Sequence, residues 1–178
     1  MHAATVLTTL STSDHTQADR FSAFVSAAGD AALRRDGGPE HLTASCFVLS
    51  PDHRRVLLCL HRKGGFWVQF GGHLELEDDD LAAAARREAR EESGLTDLEL
   101  VDTRVADLDR HDLHGGFTCS AHWDVGFVAE ADPAAPTAVS IESDDVRWFP
   151  VDGLPTPLAD GFADRLAALL TRLPHPRA

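Results

Sequence analysis

The chain has 178 residues, 43% of them apolar and 25% charged, and a formal net charge of −13. This fits one globular domain over 1–178 with a real core and excludes a disordered or fibrous chain. The acidity argues against a nucleic-acid or anionic-membrane surface, which needs a basic patch, but leaves room for a nucleotide that a divalent metal could bridge to the protein.

Residues 1–14 (MHAATVLTTLSTSD) are Ser/Thr-rich and read as a loose arm or edge strand. They lack the basic start and apolar run of a signal peptide, and no window approaches the roughly 20 apolar residues of a spanning helix. A cytoplasmic protein is expected. Over 17–35, Phe21, Phe24, Val25, Ala28 and Leu33 recur at helical spacing, and Gly37-Gly38-Pro39 ends the run. Such a helix can pack on the domain or on a second subunit.

A core over 41–173 follows. His41–Leu49 and Arg55–His61 read as strands joined by a turn at Ser50-Pro51-Asp52-His53, and Phe66–Phe70 as a short strand running into glycines. Leu98–Leu108 and Phe117–Ala129 look strand-like, separated by a loop holding His111 and His114. Asp145–Phe149 reads as a further strand and Phe162–Leu173 as a closing helix. Strands interrupted by helices predict an α/β fold with a mixed sheet between helical layers. Cys46, Cys59 and Cys119 are an odd number without metal-ligand spacing and read as small core residues in a reducing compartment.

The chemistry concentrates in residues 71–95, GGHLELEDDDLAAAARREAREESGL. A helix should start within Asp78–Asp80, where a carboxylate can accept from free N–H groups, and stop at Gly94. At about 100° per residue, Leu81, Ala84, Ala85 and Ala89 share one face. Glu88 and Glu92 point the same way, with Glu91 on the shoulder, so the face that should be buried becomes carboxylate in its second half. Like charges at this spacing repel, and a cation is expected to gather them. Hard oxygen donors in a partly filled shell suit Mg²⁺, which keeps waters and meets phosphates.

This stretch resembles the signature of the Nudix hydrolase family, G-x5-E-x7-R-E-U-x-E-E-x-G-U, with U a bulky apolar residue. Arg87-Glu88, Glu91-Glu92 and Gly94-Leu95 fall on its second half at matching spacing. Asp79 stands where the first Glu belongs, Gly72 lies one residue too far upstream, and Ala89 is small for the apolar position. Val146-Arg147-Trp148-Phe149-Pro150 followed by Gly153-Leu154-Pro155 is also similar to the family's ending. The resemblance implies an α/β/α sandwich with the signature helix on the sheet. It also implies Mg²⁺-dependent hydrolysis of a phosphoanhydride in a nucleoside diphosphate linked to another group, with Mn²⁺ as a substitute ion. It further implies a backbone-carbonyl ligand at Gly72 beside Glu88, Glu91 and Glu92, and is compatible with a homodimer.

Arg87 is expected to orient the carboxylates. The general base is expected to be a signature glutamate such as Glu91, or Glu142 from a later loop. Arg62 and Lys63 are candidates for a distal phosphate, Trp67 for base stacking, and His73 lies beside the catalytic turn. His73, His111, His114 and His122 match no compact zinc motif and no thiol lies close beside the cluster, which favours pocket or structural roles. Two rivals stand beside hydrolysis: a module that binds a nucleotide without cleaving it, and an isoprenoid-diphosphate isomerase, which would need an activated cysteine such as Cys46 or Cys59.

Overall fold

A computed structural model describes residues 1–113 and 119–174. In chain order it contains α1 (Ala3–Ser11), α2 (Ala18–Ala28), a 3₁₀ helix (Gly29–Leu33), β1 (Glu40–Leu49), β2 (Arg55–His61), β3 (Phe66–Val68) and β4 (Phe70–His73). Then come α3 (Leu81–Ser93), β5 (Asp107–Asp112), β6 (Ala121–Glu130), β7 (Ser143–Pro150) and α4 (Phe162–Arg172). The sheet runs β3-β2-β1-β6-β5, with β4 paired to β1 and β7 to β2. The pairs β1–β2, β2–β3, β2–β7 and β5–β6 are antiparallel, and a parallel bridge joins Trp67 to Leu158. The chain divides into two compact units, one of residues 1–45, 71–85 and 102–127, the other of 46–70, 86–101 and 128–178.

In the first unit, Trp123 of β6 anchors α2. Phe24 stacks on its indole at 4.4 Å and Phe21 meets it edge-on at 5.0 Å. The indole N–H donates to Glu40 at 2.7 Å, and Arg110 of β5 holds the other oxygen of Glu40 at 3.0 Å. The indole thus keeps a polar partner inside an apolar contact. Asp124, next in β6, is buried and accepts from Thr43 and Ser45 at 2.9 and 2.6 Å.

Residues 3–11 form a helix where the sequence reads as a loose arm or edge strand. Val6 and Leu10, four apart, are both buried, and the hydroxyls of Thr8 and Thr9 donate to carbonyls four residues back. The threonines are accommodated by the helix rather than breaking it. The expected 17–35 helix is an α-helix only to Ala28, because Gly29 turns to φ +59° and the chain tightens into 3₁₀ geometry.

In the second unit, β2 lies between β7 and the end of β1, and Phe162 of α4 stacks on Phe47 at 5.9 Å. The expected strand at 98–108 is mostly irregular. Leu100 makes a lone bridge to Ala129, after which Asp102 folds back to accept from the Arg104 amide. Pairing resumes only at Asp107, so β5 is a charged strand reaching His111, a residue expected in a loop. His114 and the first two residues of the strand expected over 117–129 lie outside the described residues.

Gly94 ends α3, its amide donating to the Arg90 carbonyl at 2.9 Å with φ at +75°. A Cβ there would sit 2.6 Å from the Ala138 Cβ and 2.7 Å from its nitrogen, whereas one at Gly161, with φ +72°, would meet nothing within 4 Å. Gly161→Ala should therefore cost about 1–2 kcal/mol, the left-handed backbone penalty. Gly94→Ala should cost a further ~1–3 kcal/mol for overpacking. Urea denaturation of both variants checks this, and equal losses would show that the Ala138 contact is not tight.

Candidate active site

The acidic turn before α3 is held by its own side chains. Asp78 is buried and accepts from the Glu75 amide at 2.8 Å, while Asp80 accepts from the Ala83 amide at 2.8 Å and caps the helix. Asp79, at the position of the first signature glutamate, is exposed. Gly72 and His73 end β4 in the first unit.

Along α3, Leu81, Ala84, Ala85 and Ala89 are at most 1% exposed, and Glu92 continues that face at 6%. The side chain of Glu88 is 14% exposed and that of Glu91 is 61% exposed. The Arg87 guanidinium donates to Glu88 at 2.9 Å and reaches Glu91 at 3.4 Å. Burial nevertheless pushes the Glu88 carboxyl up to about 7; the bond and charge of Arg87 oppose this, and the charges of Glu91 and Glu142 add to it. Glu92 and Glu142 also help raise the buried Cys59 thiol, to about 12, chiefly through burial. Glu142, four dozen residues after the helix, is thus electrostatically part of the same group of carboxylates.

Arg62 holds the loop that carries Glu142. Its Nε donates to Asp144 at 2.7 Å, and its two terminal nitrogens donate to the Ile141 and Ser143 carbonyls at 2.6 and 2.8 Å. Its amide donates to the Glu142 carbonyl at 2.9 Å. The guanidinium thus grips its own chain, where the sequence suggested a phosphate partner. Lys63 is exposed. Trp67 is 7% exposed and packs edge-on against Phe149 at 4.7 Å, leaving little ring face for stacking.

The histidines assemble differently from their sequence grouping. His73 and His122 are joined by His41, a residue the sequence marks only as the start of a strand, with ring centroids 5.0–5.3 Å apart. Cys119, expected as plain core, lies with its Sγ 3.3 Å from His122 Nε2. Burial and the neighbouring imidazoles lower His122 to about 3, with Arg35 adding to the effect. Burial, His41 and Arg35 lower His73 to about 4. His41 is lowered by burial and Arg35 against an opposing contribution from the Gly38 backbone. These rings are therefore neutral at pH 7. The Cys119-x-x-His122 spacing was the one local signal that could have joined the thiol to the ring.

The Glu88 carboxyl binds its proton more tightly folded, at about 7, than at its ordinary 4.5. Below pH 4.5 both states are protonated; as pH rises through about 7 the folded protein must ionise a buried acid and loses stability. In protein stripped of divalent cations, Glu88→Gln should leave the melting temperature unchanged near pH 4 and raise it at pH 8, by up to about 3 kcal/mol of stability. A variant no more stable than wild type at pH 8 would contradict this environment.

A model of the NUDIX domain family matches residues 39–170. Among solved structures, a NUDIX-family hydrolase from Clostridium perfringens aligns with a TM-score of 0.60 at 23% identity, over 74% of this chain and 97% of that one. An Ap4A hydrolase from C. elegans, in a binary complex, gives a TM-score of 0.60 at 15% identity, over 73% and 95%. An ADP-ribose pyrophosphatase from Streptococcus suis gives 0.56 at 22%, over 76% and 95%. At such identities the likeness establishes the fold, an α/β/α sandwich around a mixed sheet. The domain match covers most of the chain and contains Arg87 to Leu95, and on that ground the chain belongs to the Nudix hydrolase family.

Proposed function

We propose that this Nudix pyrophosphohydrolase binds Mg²⁺ through Glu88, Glu91 and Glu92 and hydrolyses a phosphoanhydride in a nucleoside diphosphate joined to another group. The observation that carries this reading is the half-buried carboxylate set. Glu88 is raised to about 7 chiefly by burial and further by the charges of Glu91 and Glu142, a burial and crowding of carboxylates that a hard cation relieves. The donors fit such an ion, since all are carboxylate oxygens, and the resemblance adds the Gly72 carbonyl. When bound, Mg²⁺ neutralises phosphate charge and lowers the pKa of water.

The remaining roles fall to side chains. Arg87, bonded to Glu88, keeps that carboxylate oriented. Glu142 is the proposed general base, accepting a proton from the attacking water, with Glu91 as its alternative. Lys63 is assigned to a distal phosphate, and Arg62 to positioning the Glu142 loop. Ap4A and ADP-ribose, named for two of the structural neighbours, set the substrate class to try first.

The isomerase alternative is disfavoured by the thiols. Burial pushes Cys46 far above the ordinary range and Cys59 to about 12, so neither is an activated acid or nucleophile. Among the described residues no helix is long and apolar enough to cross a membrane. We assign the protein to the cytoplasm, with small-molecule substrates, no nucleic-acid partner at a charge of −13, and a homodimer as its assembly.

The decisive test is incubation of the purified chain with Mg²⁺ and a panel of nucleoside triphosphates, nucleotide sugars, dinucleoside polyphosphates and ADP-ribose, with products identified by mass. Cleavage that is abolished by chelation, restored by Mg²⁺, and reduced by orders of magnitude in Glu91→Gln and Glu92→Gln is the expected result. A compound that raises the melting temperature without being cleaved would instead favour a binding module. With a substrate in hand, Glu142→Gln should lower kcat about 10²–10⁴-fold with little change in KM. Arg62→Lys, which cannot reproduce the forked bonds, should lower kcat less but in the same sense. An unchanged pH–rate profile in Glu142→Gln would remove it as the base.

A further inference from the structure

A second group of ligating side chains lies in the first unit and uses none of the residues assigned to hydrolysis. His41 is the second residue of β1, His73 ends β4, Cys119 precedes β6, and His122 is the second residue of β6. One donor atom from each lies within 4.8 Å of every other. We propose that His41, His73, Cys119 and His122 form a closed, structural Zn²⁺ site.

Ligands at ordinary zinc distances, about 2.0–2.1 Å for nitrogen and 2.3 Å for sulfur, sit roughly 3.3–3.6 Å apart on a tetrahedron. The Cys119–His122 pair, at 3.3 Å, is already there. With every pair within 4.8 Å, the others need to close by roughly 1.5 Å at most, a movement that rotation of the imidazole side chains can supply.

His41 supplies the independent sign that a partner belongs here. It is fully buried, and neither ring nitrogen makes a hydrogen bond of ordinary geometry. A buried polar group in that state is unfavourable, and a metal bond satisfies it. Three neutral imidazoles and one thiol make a borderline-soft set that suits Zn²⁺ and not Mg²⁺, which prefers oxygen. Four protein ligands leave no position for substrate, so the ion would tie β1, β4 and the start of β6 together without entering the reaction. His111 stands outside the group, its ring 5.6 Å from His122 and its Nδ1 2.9 Å from Asp109.

The test uses the full chain. Purified from zinc-containing medium it should carry about one zinc per molecule. After chelation its melting temperature should fall, and Zn²⁺ should restore it. Refilling with Co²⁺ should give the intense visible bands of tetrahedral cobalt and a near-ultraviolet thiolate-to-cobalt charge-transfer band. Cys119→Ser should abolish the charge-transfer band, and His122→Gln should reduce zinc to below about a tenth per chain, while Glu91→Gln leaves both readouts unchanged.

A six-coordinate cobalt spectrum without charge transfer in the unmutated chain overturns the proposal, whether or not any variant folds. So does zinc that is lost in Glu91→Gln, which would place the ion on the carboxylates. Hydrolysis with Mg²⁺ can succeed or fail without moving these readouts, so the two proposals stand separately.

Discussion

The structure depends on a conflict within α3: one face is buried along its whole length, yet the second half of that face is ionisable. In the first half, Leu81, Ala84, Ala85 and Ala89 satisfy burial with small and apolar groups. In the next turns the same direction carries Glu88 and Glu92. A buried carboxylate is strongly unfavourable without a compensating cation or hydrogen bonds, and Arg87 compensates only in part. The surrounding chemistry is arranged to maintain that conflict. Asp80 and Gly94 fix the ends of the helix, and Arg86 and Arg90 both pair with Glu99 on its outer side.

Features with a local cause could be read from the chain. The continuous apolar run of β2 from Val56 to Leu60 and the face of α3 that carries Leu81, Ala84, Ala85 and Ala89 each state their burial in the sequence. The likeness to the Nudix signature gave the family from about two dozen residues. Features with a remote cause could not be read. Arg62 looks like a cation awaiting a phosphate until the loop at 141–144, far along the chain, folds onto it. β5 is spelled Asp-Leu-Asp-Arg-His-Asp, and its strand identity comes from pairing with β6 rather than from propensity. Residues 98–106 fall in a stretch with the apolar composition of a strand, yet they form a strand bridge only at Leu100 before β5 begins at Asp107. The cluster around His41 is assembled from three separate stretches, and only its Cys119-x-x-His122 pair has a spacing that the chain itself displays.

Two families of donor atoms coexist in this protein. Carboxylate oxygens gather on α3, whereas ring nitrogens and a thiol gather where β1, β4 and β6 begin or end. Hard and borderline-soft ions partition between such sets by bonding preference. In the first, burial raises the proton affinity of Glu88, with the charges of Glu91 and Glu142 adding to it; in the second, burial suppresses protonation of the rings. The same low-dielectric environment acts in opposite directions on groups of opposite ionised charge.

The grip of Arg62 on its loop has a bearing on how this sequence can diverge. Two of its three guanidinium bonds end on main-chain carbonyls, those of Ile141 and Ser143, and the backbone bond to Glu142 is equally indifferent to side-chain identity. Ile141 is 86% exposed, so its side chain contributes nothing to the anchorage. Position 141 can therefore drift in size and polarity while the loop keeps its path. A new side chain could be tried beside Glu142 without first rebuilding the loop that carries it.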